Sequence, residues 1–339
     1  MTDVFGTFRP AAAFKPGKGQ TMKFRTVSPA IAFLLFAGLL PAADQQLVSL
    51  LMPDAKVVAG LNVEQAKNSP FGQFLLARVQ GGDDGLARLT TMTGFDPRRD
   101  LREVLVGTVG EPGKKGLVLA RGTFDTARIF AAAQLGGHTV ETYKGVNILT
   151  GNEGSLTHAV AFLDDSIAVA GDLDNVHGAI DRRSGGSSLD ATLAAKVDQL
   201  SSSLDAWSVS TVPFAALADQ NVPNVNLSQM LNSNVLKSIL QTSGGVKFGA
   251  IIRLSGEAVA RSAQDATALA NVAQFLGNMV QANAPAASAA AITALVQSIS
   301  VQADGNAVKF ALDVPEAQVE NFISTAQQHK SVHAAPSKL

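Results

Sequence analysis

The sequence predicts an α+β protein built as two similar domains by internal duplication, each a largely antiparallel sheet covered by helices on one face. Three observations lead there. Strand-like runs come in pairs joined by short turns such as Lys144-Gly145, Asp164-Asp165 and Asp304-Gly305-Asn306, which read as antiparallel hairpins. Stretches of helical periodicity with Asp, Ser or Pro at their starts follow those pairs. The same order, strand, helices, two strands, helix, hairpin, helix, recurs in both halves. Residues 54–183 form the first expected domain, 184–203 a linker with a connecting helix, and 204–328 the second; 329–339 read as a disordered tail.

In the first half, 47–52 reads as a short helix running into Pro53, and 56–63 as a strand. Helices follow at 71–79 and 85–93, the second stopped by Gly94, and Asp96-Pro97 has the cap and first-turn residues of a helical turn. Strands are expected at 103–109 and 116–121 across the turn 110–115. Asp125 caps a helix to about Gln134, ended by Gly136-Gly137. The hairpins 139–143/146–149 and 159–163/166–170 follow, then a helix at 174–180. The polar stretch 182–188 reads as linker.

In the second half, 207–212 is a strand and 227–240 is helical. A hairpin is expected over Ser255-Gly256, with arms 246–254 and 257–261. Asp265 opens a long helix to about Asn283, and Pro285 a second to about Gln297. The arms 298–302 and 307–314 close over Asp304-Gly-Asn306, and Pro315-Glu316 starts a last helix. Two segments align locally between halves: Val118-Leu-Ala-Arg-Gly-Thr-Phe-Asp-Thr-Ala127 with Ala258-Val-Ala-Arg-Ser-Ala-Gln-Asp-Ala-Thr267, each with an Arg four residues before an Asp.

Composition narrows the function. The chain of 339 residues is 46% hydrophobic and 16% charged, enough to bury a sizeable core. From residue 44 onward there are 22 basic and 27 acidic residues, a balance that argues against a nucleic-acid partner. With no cysteine, disulfides, thiolate metal sites, thiol nucleophiles and a lipidated cysteine are all excluded.

The first 43 residues read as an export signal. Lys23 and Arg25 supply a positive start, and Ala30 to Leu40 is an uncharged apolar run of signal-peptide length, shorter than the roughly 20 residues of a membrane span. Pro41-Ala42-Ala43 then precedes polar Asp44, so cleavage is expected near Ala43 and the signal spans 22–43. Residues 1–21 read as an upstream extension from a misassigned start. The product is expected in the periplasm or outside the cell, with membrane attachment only if the segment stays uncleaved.

Chemistry-bearing patterns are few. Asp164, Asp165, Asp172, Asp174, Asn175 and His177 form the densest run of oxygen and nitrogen ligands, but a calcium loop starting at Asp172 would place His177 and Arg183 where Gly and an acid are required. The five histidines have no metal-binding spacing. Gly110 to Gly116 lacks the spacing of a phosphate-binding loop, and Ser243-Gly244-Gly245 with Lys247 has no Ser-x-x-Lys partner. Arg98-Arg99-Asp100 with Arg102 is a basic cluster that could grip an anion but reads as a solvated turn with Arg–Asp pairing, and Asn226-Leu-Ser228 is a sequon relevant only in a eukaryotic secretory pathway. No catalytic, cofactor or metal residue is assigned and no cofactor is expected.

Asp54-Ala-Lys-Val-Val-Ala-Gly-Leu-Asn-Val63, with Thr93-Gly-Phe-Asp-Pro-Arg-Arg-Asp100 and Glu103-Val-Leu-Val-Gly107, resembles uncharacterised exported proteins of environmental bacteria of the acidobacterial type. The resemblance implies export and brings no catalytic residue with it.

One surface stands out. Between Asp265 and Asp304 there is no charged residue. On the helix from Asp265, Leu269, Val272, Ala273, Leu276 and Val280 form the expected core stripe, and Asn271, Gln274, Asn278 and Gln281 the polar, uncharged one. Interface cores are depleted in charge, so this stripe is the expected contact surface for a protein partner or a second copy. The functional expectation is a non-catalytic binding module of the cell envelope. The competing expectations are a hydrolase or transferase with a site assembled from dispersed residues, and a carrier with an aromatic-lined groove.

Overall fold

The computed structural model describes residues 43–79, 84–110, 116–153, 156–185, 189–213, 234–284, 289–321 and 324. The signal segment apart from Ala43, residues 1–21, the sequon and the tail lie outside them. In chain order the elements are α1 (Gln45–Leu50), β1 (Val57–Asn62), α2 (Val63–Asn68), α3 (Pro70–Val79), α4 (Asp84–Thr93), α5 (Pro97–Asp100), β2 (Leu101–Thr108), β3 (Gly116–Gly122), α6 (Thr126–Leu135), β4 (Thr139–Tyr143), β5 (Val146–Glu153), β6 (Leu156–Asp164), β7 (Ile167–Asp172), α7 (Leu173–Gly185), α8 (Ala191–Ser201) and β8 (Ala206–Ser210). A 3₁₀ turn at Leu236–Ser238 leads to β9 (Ile239–Lys247), β10 (Ile251–Ala260), α9 (Ala263–Ala282), α10 (Ala289–Gln297), β11 (Ile299–Asp304) and β12 (Ala307–Pro315). A helix follows from 316.

The architecture is α+β, and its antiparallel strands make a single sheet rather than two. The order is β11-β12-β10-β9-β8-β1-β2-β3-β7-β6-β5-β4. The expected separate sheets merge because β1 of the first half and β8 of the second pair with each other, Gly60 opposite Trp207; each would otherwise leave a row of unpaired N–H and C=O groups. One register row crosses all twelve strands: Ser300, Ala311, Ser255, Gly245, Trp207, Gly60, Leu105, Leu119, Val169, Ala161, Ile148, Glu141. Its aliphatic part sits in the main core with Leu47, Leu50 and Leu51 beside α1, Val176 and Ile180 of α7, and Leu193 and Val197 of α8. The connecting helix α8 is thus part of the core.

Helices cover both faces, not the one face expected. On the other face lie Val160 and Leu149, which line a cavity with Ile129 and Ala132 of α6, and Phe162, whose ring meets Phe130 of α6 edge-on. There too lies Val308, which packs with Ala266, Leu269 and Ala270 of α9. Between those two helices Val106 and Val118 stay partly open to solvent. Both faces are apolar because the strands are apolar at successive positions, the pattern of a sheet buried on two sides.

Local chemistry explains most boundaries. The side chains of Asp44, Asn62, Asp96, Asp125, Asp190 and Ser262 accept hydrogen bonds from the first-turn N–H groups of α1, α2, α5, α6, α8 and α9, satisfying donors that no helical carbonyl can reach. Helix α9 therefore starts at Ser262, not at Asp265. Asp265 instead completes the cap, because Ser262 accepts from its amide at 3.1 Å and donates to its carboxylate at 2.9 Å.

The β9–β10 hairpin turns at residues 248–250, not at Ser255-Gly256, which lies in mid-strand. Gly256 faces the Phe310 ring, and a Cβ there would fall within 2.0 Å of it; the glycine makes room for an aromatic ring rather than a turn. For residues 227–240, the described part is a 3₁₀ turn followed by strand. Arg182 and Arg183, expected in a linker, belong to the last turn of α7, where cations favour the helix dipole.

Candidate functional site

The free edge of β11 and the outer side of α9 form the candidate site. β11 closes one end of the sheet, and among the described residues no strand pairs with its outer edge. Five of its six residues, all but Val301, are exposed, and only Asp304 at its end is charged. Helix α9 lies beside it, held by Ala266, Leu269 and Ala270. All three sit in the first two turns, so the later turns project past the small core. That explains why Val280, expected in the core stripe, is 51% exposed, and why Phe275 is 63% exposed.

A groove of about 350 Å³ runs between the two elements, lined by Gln274, Gly277 and Asn278 of α9, Val296 of α10, and residues 299–302. Of the four residues the sequence singled out, Gln274 and Asn278 line it. Asn271 is exposed elsewhere on the helix, and Gln281 is half-buried rather than outward-facing. Each carboxamide in the groove offers both donors and an acceptor, matching the main-chain groups of an incoming peptide. At the far end of β11, Lys309 donates to Asp304 at 2.7 Å and holds its carboxyl below the usual range, pairing the one charge on that strand.

The other sequence candidates resolve into structural roles. Asp164 accepts from the Ser166 amide and hydroxyl and from the Ile167 amide in the β6–β7 turn. Asp172 accepts from the amide and side chain of Asn175 at the start of α7. His177 shares a 3.1 Å hydrogen bond with Glu141. Arg98 pairs with Asp96 and Arg99 with Asp100, while Arg102 is exposed on β2. Lys247 pairs with Asp205 at 2.6 Å and reaches Gln65; Ser243 to Gly245 lie within β9. Among the described residues no group of three or more His, Asp or Glu could hold a metal. Residues 111–115 lie outside the described residues.

Sequence reasoning missed two features. The first is the edge position of β11. The second is a cavity of about 440 Å³ between α4, α6 and the β5–β6 face, lined by Leu89, Met92, Ile129, Leu149 and Val160 with Arg88 and His138 at its margin. No local signal marks either, since both depend on elements distant in sequence.

No family model matches the chain, and no curated protein matches it. Among solved structures, crystal form III of TP0453 matches with a TM-score of 0.50 at 9% identity, over 82% of this chain and 97% of that one. Crystal form IV of TP0453 matches with a TM-score of 0.48 at 10% identity, over 81% and 95%. At this identity the likeness concerns the fold alone. No helix among the described residues is long and apolar enough to cross a membrane.

Proposed function

We propose that this is an exported cell-envelope protein, periplasmic or extracellular, that acts as a non-catalytic binding module through the groove between α9 and β11. The observation behind the binding reading is the unpaired β11 edge beside Gln274 and Asn278, within 38 residues that have no charge. Such an edge accepts an extended polypeptide by strand addition, main-chain hydrogen bonds giving affinity and flanking side chains selectivity. Export is supported by the basic start, the apolar run of Ala30 to Leu40 and the small residues before Asp44. Membrane attachment would follow only from an uncleaved segment.

Internal duplication completes the proposal. In its favour, β1-β2-β3-β7-β6 on one side of the β1–β8 pair is mirrored by β8-β9-β10-β12-β11 on the other. The turns at Asp164-Asp165 and Asp304-Gly305 then occupy matching places. Experimental coordinates in which these strand sets superpose no better than unrelated antiparallel sheets would remove the duplication.

The binding test replaces Gln274 and Asn278 by Lys. Both are exposed, so stability should change by about 0.5 kcal/mol or less, while a partner or a self-associated species present with the unaltered protein should be lost. Sedimentation velocity, with co-purification from the native host beside an Arg88→Glu control, reads both. Unchanged mass and an unchanged partner profile would reject the groove.

A further inference from the structure

Resting on the export reading above, we propose that removal of the leader after Ala43 creates an α-ammonium at Asp44 that docks on the carboxylate of Glu103. Processing then completes an ionic clasp at the start of the mature fold. The nitrogen is already in position: the Asp44 backbone N lies 3.2 and 3.3 Å from the two oxygens of Glu103. Glu103 stands on β2, half-buried, with no other hydrogen bond among the described residues.

The local charge is unbalanced while the Ala43–Asp44 bond is intact. The side chain of Asp44 is committed to Arg121, whose Nε lies 2.7 Å and whose other nitrogen lies 2.6 Å from it. Arg121 also donates to Ser166 and Gln46. The carboxylates of Asp44 and Glu103 thus share one guanidinium, which also acts on Asp164 through Ser166, and burial pushes the Glu103 carboxyl above its usual range while the Asp44 amide pulls it back.

Hydrolysis of the Ala43–Asp44 peptide bond by a signal peptidase consumes one water, leaves a carboxylate on Ala43 and a protonated amine on Asp44. The same atom then carries three hydrogens and a full charge, which offsets the Glu103 carboxylate without rearrangement and leaves Arg121 to Asp44 and Asp164. The dipole of α1 opposes a cation at its start, but it acts as about half a charge, against a whole carboxylate in direct contact.

The sign of the pH dependence follows. An α-amino group ordinarily titrates at about 8. Pairing with Glu103 raises that value in the folded state, so the stabilisation is present below it and lost as pH rises through the raised value.

The experiment compares the mature chain starting at Asp44 with the same chain preceded by Gly-Ser, each with Glu103 and with Glu103→Gln. Thermal unfolding at pH 7 should show the extended chain lower by about 2 °C. The gap should close near pH 10 and be absent in both Glu103→Gln chains. Equal melting of the two starts, or a gap that survives Glu103→Gln, overturns the clasp. In parallel, the intact mass of the exported product should correspond to a start at Asp44. A start at Ala43, itself buried against the core, overturns the processing site, and a retained leader overturns the cleavage on which it depends. An Asp44 start without a melting gap defeats the clasp and leaves export standing.

Discussion

The two ends of the sheet are finished by opposite means. At the β4 end, the Tyr143 ring stacks on His177 of α7 with centroids 4.0 Å apart. Glu141 meets His177, and Lys144 pairs with Asp181 at 2.7 Å. Val146 and Ile148 of the neighbouring strand reach into the main core. At the β11 end the row closes on Ala311 and Ser300, and the core shrinks to Ile239, Ala260, Ala266, Leu269, Ala270 and Val308. Charged residues blunt a free edge and a neutral one invites pairing. The proposed binding edge therefore lies at the end with less core, where local opening is cheapest.

The sharpest way to break that comparison is to truncate a leucine in each core. Leu119→Ala, at a site with no solvent exposure, should cost about 3 kcal/mol and lower the whole unfolding transition. Leu269→Ala should cost about 2 kcal/mol and act locally, removing hydrogen-exchange protection from β11 and β12 while β1–β3 keep theirs. Equal, global effects of both would abolish the gradient.

A glycine pair gives a smaller contrast. A Cβ at Gly60 would lie 2.4 Å from the Trp207 ring, which is buried in the main core. One at Gly256 would meet Phe310, which is 46% exposed. Gly60→Ala should cost about 2 kcal/mol by overpacking, and Gly256→Ala less than about 1, because Phe310 can swing into solvent. Urea denaturation distinguishes them; matching losses would mean that the exposed ring is as fixed as the buried one.

The smallest effect concerns the two hairpin turns. Burial pushes the Asp164 carboxyl up, but hydrogen bonds from the Ser166 hydroxyl and amide and the Ile167 amide hold it below its ordinary value. Its contribution is therefore present above about pH 4 and lost as pH falls through the lowered value. Asp164→Ala should cost about 0.5 kcal/mol at pH 7, low for a turn hydrogen-bond set because the group is exposed. Asp304→Ala, which removes only an exposed pair with Lys309, should cost less than Asp164→Ala, because solvent screens the pair. A loss at Asp304 as large as that at Asp164 would contradict the contrast.

Much of the fold was legible from residues near one another. The hairpins at 139–149 and 299–315 follow from turns whose Lys144, Gly145 and Gly305 adopt positive φ, a requirement stated by residue type, and the one at 156–172 from an Asp164 whose side chain accepts the turn's amide hydrogens. The caps at Asp96 and Asp125 are equally local. Helix α2 was missed because its six residues begin directly at the end of β1, too short for periodicity to register. The β9–β10 turn was misplaced because Gly256 answers to Phe310, more than fifty residues away, and nothing beside it says so.

The candidate site divides along the same line. Composition and helical spacing are enough to read an uncharged stretch from Ala266 to Ala303 and a polar amide stripe on α9. That Gln274 and Asn278, and not Asn271 or Gln281, stand beside a free strand edge comes from the fold. Being an edge means lacking a neighbour, and a strand's neighbours are set by pairings across the whole sheet, beginning with β1 against β8. The burial that would mark each face depends on where the helices fall, and α9 covers only what its first two turns reach.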